Sequence, residues 1–355
     1  MKQRAHASWI WAFLALTAAM IACSFENIDP QLPAAGFPTV SMSETETPTM
    51  EPAASTTATF TPVPSETPVP TEIPTSTITP TQVLPGVRFP ETPVPVLREM
   101  GYPEGQTRVL FIIVDNSIPN TPRADSIHMI GLNPLHETAS ILSIPSSLYV
   151  NIPDVGMERV YSSMIFGGPG KLLDTIEYNL GIRANRFIAV DFEHFGQLVE
   201  KLGPINVPVG AQLSSPCNLP VAVSGRCNVF PGLIQMDKGL TLWYLRERSG
   251  GERDRMRRSQ EVILAFFNRL MDTQAPARLG ELSPVFRENM ETDITVEDVI
   301  NLTPLSVAVY SNGRIRRMAM GDVEAVPFNL PDGQNVLLLD QNAAWNLIQQ
   351  AFFQP

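Results

Sequence analysis

The 355-residue chain has few cysteines (three), few histidines (four) and no excess of basic residues, its charge summing to −11. Each shortage excludes something. Cys217 and Cys227, with no histidine close by, fall short of a zinc ligand set. Residues 1–100 hold four basic and nine acidic residues, and the rest of the chain is acidic too, which argues against a nucleic-acid partner. The sequence has no internal repeat, which excludes a solenoid. The only uncharged apolar run near the N-terminus, Trp9 to Ala22, is short for a bilayer span.

What is there begins with an export signal: Lys2 and Arg4 precede that run, which ends at Met20-Ile21-Ala22-Cys23. These last four residues resemble a lipobox, so residues 1–23 are read as a signal segment with Cys23 as the lipid-bearing mature N-terminus. A cleaved secretory signal or an uncleaved anchor would use the same features. Two or three acyl chains on Cys23 suffice for stable anchoring, where one is marginal. Residues 24–100 are rich in Pro, Thr, Ser and Glu. They cannot bury enough apolar surface to offset their ordering entropy, so a disordered, partly polyproline II spacer is expected. In the oxidising compartment this implies, Cys217 and Cys227 bracket a loop with Pro220 and Gly225 as turn residues, and a disulfide is the natural reading.

From about residue 101 the pattern is that of a folded domain. Arg108 to Val114 reads as a buried strand delivering Asp115 at its C-terminal end. Strands are predicted at 126–132, 138–144, 187–190 and 205–209, and helices at 170–180, 192–202, 237–245 and 252–271. This alternation predicts a layered α-β-α domain with a central mixed sheet. It spans 101–275, with 276–355 continuing it. Six arginines fall between positions 246 and 258: Arg246, Arg248, Arg253, Arg255, Arg257 and Arg258. Such a cluster on an acidic chain suggests a particular anion. Fork-like donors beside a helix N-terminus suit a phosphate or pyrophosphate; a solvated charged face is the alternative.

Eight stretches in order resemble the LytR-CpsA-Psr family. They are Val109 to Asp115, Arg123-Ala124-Asp125-Ser126, Leu142-Ser143-Ile144-Pro145, Glu158-Arg159-Val160 with Gly167-Gly168-Pro169, Val190-Asp191-Phe192-Glu193, Leu202-Gly203-Pro204-Ile205, Tyr244 to Arg248, and Asp254 to Gln260. The resemblance implies an enzyme that transfers anionic glycopolymers from a polyprenyl pyrophosphate carrier onto a peptidoglycan or surface hydroxyl, at the outer face of the cytoplasmic membrane. It implies catalytic roles for Asp115, Arg123, Asp125, Arg246 and Arg248, and substrate binding by Arg159, Arg255 and Arg258. Asp115 and Asp125 would hold Mg2+ or activate the acceptor hydroxyl. The chain departs from the pattern after Ile144-Pro145, where Ser146 and Ser147 replace the usual Arg and Asp. Lys171, Arg253 and Arg257 are the candidate cations to take over, with Lys171 the best placed of the three. Loss of that Arg favours a second reading, a non-catalytic binding protein for a pyrophosphate lipid or wall polymer. Hydrolysis with water as acceptor would need the same site.

Overall fold

The protein is described by a computed structural model over residues 102–354; the expected signal, Cys23 and the spacer lie outside these residues. β1 (Thr107–Asp115) is buried along nearly its whole length, as its unbroken apolar run requires of a strand covered on both faces. It pairs antiparallel with β2 (Arg123–Asn133), which pairs antiparallel with β3 (Thr138–Ile144). On its other side β1 runs parallel to β6 (Arg186–Asp191). The edges are β11 (Glu291–Thr292) beside β6 and β12 (Ile315–Ala319) parallel to β3, giving a six-stranded mixed sheet ordered β11-β6-β1-β2-β3-β12.

Alternate residues of β1 feed two cores. Leu110, Ile112 and Val114 pack with Leu172 and Ile176 of α1 (Ser163–Leu180) and with Ile348 and Phe352 of α7 (Gln341–Phe352). Phe111 and Ile113 face the other way, toward Phe195 and Leu198 of α2 (Phe192–Leu202) and Val262 and Phe266 of α4 (Gly251–Asp272). The sheet is therefore sandwiched between helices, the layered α-β-α arrangement expected. α2 starts where its N-cap dictates, with the Asp191 carboxylate accepting from His194 N–H at 2.8 Å. α1 begins seven residues before the predicted start, with non-helical backbone at Gly167 and Gly168; Gly168, at φ 62°, adopts a conformation costly for any other residue.

A second, four-stranded sheet joins β4 (Leu148–Ile152) and β5 (Gly156–Arg159) to β14 (Asn335–Leu339) and β13 (Ala325–Asn329). Two-stranded ribbons form from β7 (Ile205–Val209) with β10 (Gly232–Met236), and from β8 (Leu213–Pro216) with β9 (Arg226–Val229). The remaining helices are α3 (Lys238–Arg246), α5 (Leu279–Asn289) and α6 (Val296–Asn312). No helix of the described residues is long and apolar enough to cross a membrane.

Cys217 and Cys227 are disulfide-bonded across the β8–β9 ribbon. In the chain-entropy view this crosslink contributes about 2–3 kcal/mol. The double variant Cys217→Ser, Cys227→Ser is expected to shift the urea midpoint down accordingly. An unchanged midpoint would mean the ribbon holds itself without the bond.

Candidate anion-binding site

The site is built at the C-terminal end of β1, where the β1–β2 pairing is irregular. Ile113 faces Ser126 but Val114 faces Ala124, so Asp125 is an extra residue with no partner across the ladder. Bulges of this kind re-aim a side chain. The Asp125 carboxylate points to α4 and is buried. Its Oδ1 accepts from Arg255 at 2.6 Å and from Arg248, while Oδ2 is buried without a hydrogen-bond partner in the structure. One register step away Asp115 faces Arg123 and accepts its Nη2 at 3.0 Å. Burial raises the Asp115 pKa, but the Ser117 hydrogen bonds and the Arg123 guanidinium outweigh it and hold the carboxyl below its ordinary range.

The N-terminal half of α4 is a buried polar hub in which each side chain has a partner. Arg255 bridges Asp125, Ser146 Oγ (2.7 Å) and Glu252 (2.6 Å). Ser259 Oγ meets His128 Nε2 at 3.0 Å, and Gln260 donates to Ser143 Oγ and to the Met318 carbonyl. Glu261 accepts from Gly210 N–H, Tyr244 OH and Arg257. Arg258 corrects the expectation that it faces the substrate. It is fully buried, with Nε on Asp254 at 2.8 Å and its two terminal nitrogens donating to the Tyr244 and Glu247 carbonyls. These carbonyls end α3 and would otherwise lack partners. Arg258 thus positions the turn that carries Arg246 and Arg248 and presents no donor outward.

After Arg246 the backbone becomes extended at Glu247, as the Arg246-Glu247-Arg248 spacing requires if both arginines are to leave the helix surface. Glu247 turns to Ser215, whose hydroxyl donates to it at 2.6 Å. Arg248 reaches Asp125, and Arg246 lies over the Phe192 ring at 4.6 Å, exposed and without an ion pair among the described residues.

Other expected members sit elsewhere. Lys171 is held by the Pro153 carbonyl and Asp154 in the β4–β5 turn, each at 3.3 Å, so it does not stand in at position 146. Arg257 is tied to Asp254 and Glu261, and Arg253 to Asp322 at 2.8 Å, so neither does that work. Arg159 donates to Gln334 and to the Asn335 carbonyl, its reach set by the second sheet. Two arrangements of side chains were not read from the sequence. Glu252 sits against Ser146, a contact between residues 106 positions apart that no local pattern reveals. Asp191, His194 and Asn116 form a hydrogen-bonded group beside a cavity of about 330 Å³, whose apolar wall includes Val114, Met164, Pro169 and Met290.

His128, beneath this site, is wholly buried between Ser143 Oγ (2.8 Å) and Ser259 Oγ. Burial, aided by the nearby Arg255 charge, pushes its pKa down to about 3 from 6.5. Between those values the unfolded chain binds a proton that the folded chain refuses. The stability from neutral His128 is present above pH 6.5 and is lost as pH falls toward 3, by up to about 1.4 kcal/mol per pH unit. Urea unfolding at pH 7 and pH 5 is expected to show this loss, and His128→Gln to flatten it; an equal slope in both proteins would assign the acid sensitivity to other groups.

Among the described residues no group of three or more His, Cys, Asp or Glu side chains is placed to hold a metal. The unpartnered, buried Asp125 Oδ2 nevertheless leaves one hard oxygen uncommitted beside several guanidinium groups. That fits a magnesium ion which takes one or two carboxylates and completes its shell with phosphate oxygens and water.

Taken together, acidic side chains and arginines meet at the end of the central sheet of a layered α/β domain, a donor set that suits an anionic ligand. The chain belongs to the LytR_cpsA_psr family, whose model matches residues 93–344. It is 25% identical over 193 residues to the regulatory protein MsrR of Staphylococcus aureus, covering 54% of this chain and 57% of that one. It is 27% identical over 203 residues to the polyisoprenyl-teichoic acid–peptidoglycan teichoic acid transferase TagU of Oceanobacillus iheyensis, covering 55% and 61%. The chain thus spans about three fifths of the length of these relatives. The crystal structure of Bacillus subtilis TagV superposes with a TM-score of 0.58 at 20% identity, over 70% of this chain and 98% of that one, a likeness of fold.

Proposed function

We propose that this chain is a cell-envelope phosphotransferase that moves a glycopolymer from a polyprenyl-pyrophosphate carrier to a hydroxyl of peptidoglycan or a surface glycan. The observation that carries the reading is the Asp125 bulge, which gathers Arg248 and Arg255 around one buried carboxylate at the strand end. In the proposed reaction the acceptor oxygen attacks the sugar-side phosphorus, the bridging P–O bond breaks, and polyprenyl phosphate leaves. Charge builds on phosphoryl oxygens, which outward-facing guanidinium groups would meet: Arg248 and Arg246, with Arg123 beside Asp115. Asp115, at the strand end beside Arg123, would either take the acceptor's proton or join Asp125 in holding magnesium, which would neutralise phosphate charge when bound. Attachment through a lipid on Cys23, outside the cytoplasm, is part of the same proposal.

The second reading, a non-catalytic binder, is favoured by one observation. At the position where the family pattern has Arg, Ser146 hydrogen-bonds a carboxylate, that of Glu252. Incubating the purified chain with a short polyprenyl pyrophosphate, with and without magnesium, separates the two. Magnesium-dependent formation of polyprenyl phosphate supports the enzyme, whereas binding with no bond cleavage under any condition supports the binder.

A further inference from the structure

Three donors converge beside Ser146: its backbone N–H, its hydroxyl and the Nη2 of Arg255. They end on one carboxylate. Glu252 Oε1 accepts from Ser146 N–H at 2.8 Å and from the hydroxyl at 3.2 Å, and Oε2 accepts from Arg255 at 2.6 Å. A guanidinium, an amide and a hydroxyl arranged around two oxygens of one anion are also what a phosphoryl group asks of a protein. Arg255 has 4% of its side chain exposed and Ser146 is buried, so this seat is built into the domain and is not a surface patch. Its occupant differs: the Glu252 side chain is 26% exposed.

We propose that Ser146 and Arg255 form a seat for a phosphate oxygen of a diphosphate ester, and that Glu252 fills it until the ligand displaces it. The proposal rests on the phosphotransferase reading and adds to it a competitor carried by the chain itself. Glu252 lies in the first turn of α4, three residues before Arg255, with an open edge toward solvent, so a change of rotamer removes its carboxylate without disturbing the core. Phosphate and carboxylate cannot share the seat, because like charges at hydrogen-bonding separation repel. Serine at position 146 sharpens the competition. An arginine there would bring a second cation, one for each anion, whereas serine leaves Arg255 as the one cation among the three donors. That guanidinium also serves Asp125, so its positive charge is already shared.

The test is calorimetric binding of inorganic pyrophosphate to the full chain and its variants. Glu252→Ala is expected to bind roughly tenfold more tightly than the wild type, about the worth of one charge-assisted hydrogen bond regained. Glu252→Gln, which keeps the shape and can still accept hydrogen bonds, is expected to gain less. Adding Ser146→Ala to Glu252→Ala should take much of the gain away. If both Glu252 variants bind pyrophosphate equally to or more weakly than wild type, while Arg248→Ala weakens binding, Glu252 merely positions Arg255; the seat is then refuted and the proposed function stands. If neither wild type nor Glu252→Ala binds pyrophosphate, the proposed function falls and the seat falls with it.

Discussion

Arg258→Ala is expected to destabilise the domain by about 3–5 kcal/mol, the usual result of removing one partner from a buried charged network. The side chain is fully buried, and its loss strands two carbonyls that close α3, those of Tyr244 and Glu247, besides leaving Asp254 with Arg257 alone. For a domain of this size each kcal/mol moves the midpoint by about 2–4 °C, so a drop of roughly 10 °C is expected in a thermal melt. Activity should fall as well, because the same two carbonyls fix the turn that aims Arg246 and Arg248. A variant that melts like the wild type but requires more donor for half-maximal rate would show that Arg258 touches the donor after all.

Arg248→Ala should behave in the opposite way. Its side chain is 62% exposed, and Asp125 keeps its second guanidinium, Arg255, when Arg248 is gone. Because Arg248 is largely exposed and Arg255 still neutralises the buried carboxylate, the loss is expected to be small, about 1 kcal/mol, so the melt should move little. Transfer activity should drop roughly 100- to 1000-fold, as when a donor aimed at developing charge is removed. Normal turnover by Arg248→Ala would remove this residue from the proposed chemistry. A large loss of stability would instead make it part of the scaffold.

Much of the central layer was legible in the sequence, because its signals are local. β1 is an apolar run, α2 carries its Asp191 cap, and α4 repeats Val262, Phe266 and their neighbours at helical spacing. The second sheet was not, since β4 and β14 pair through residues as far apart as Leu148 and Leu337, which neither strand encodes alone. The arginines teach a finer lesson. Arg255 and Arg258 were read as donors to an anion, yet Arg255, Arg258 and Val262 lie three and four positions apart on one face of α4, which continues the apolar stripe. That spacing was the available signal that Arg255 and Arg258 point inward and Arg253 outward. The partners that make such burial tolerable, Asp125 and Glu247 among them, come from other elements, and no helical pattern names them.

The single extra residue in β2 sets folding and chemistry against each other. Deleting Asp125 would let Ala124 and Ser126 follow the regular register opposite β1 and would relieve the sheet of a buried carboxylate with an idle oxygen. Arg255 would retain Glu252 as a counter-ion. The shortened chain would lose the carboxylate that gathers Arg248 and Arg255, so a selection for thermal resistance alone, with no demand for transfer, has a direct route to erasing the site.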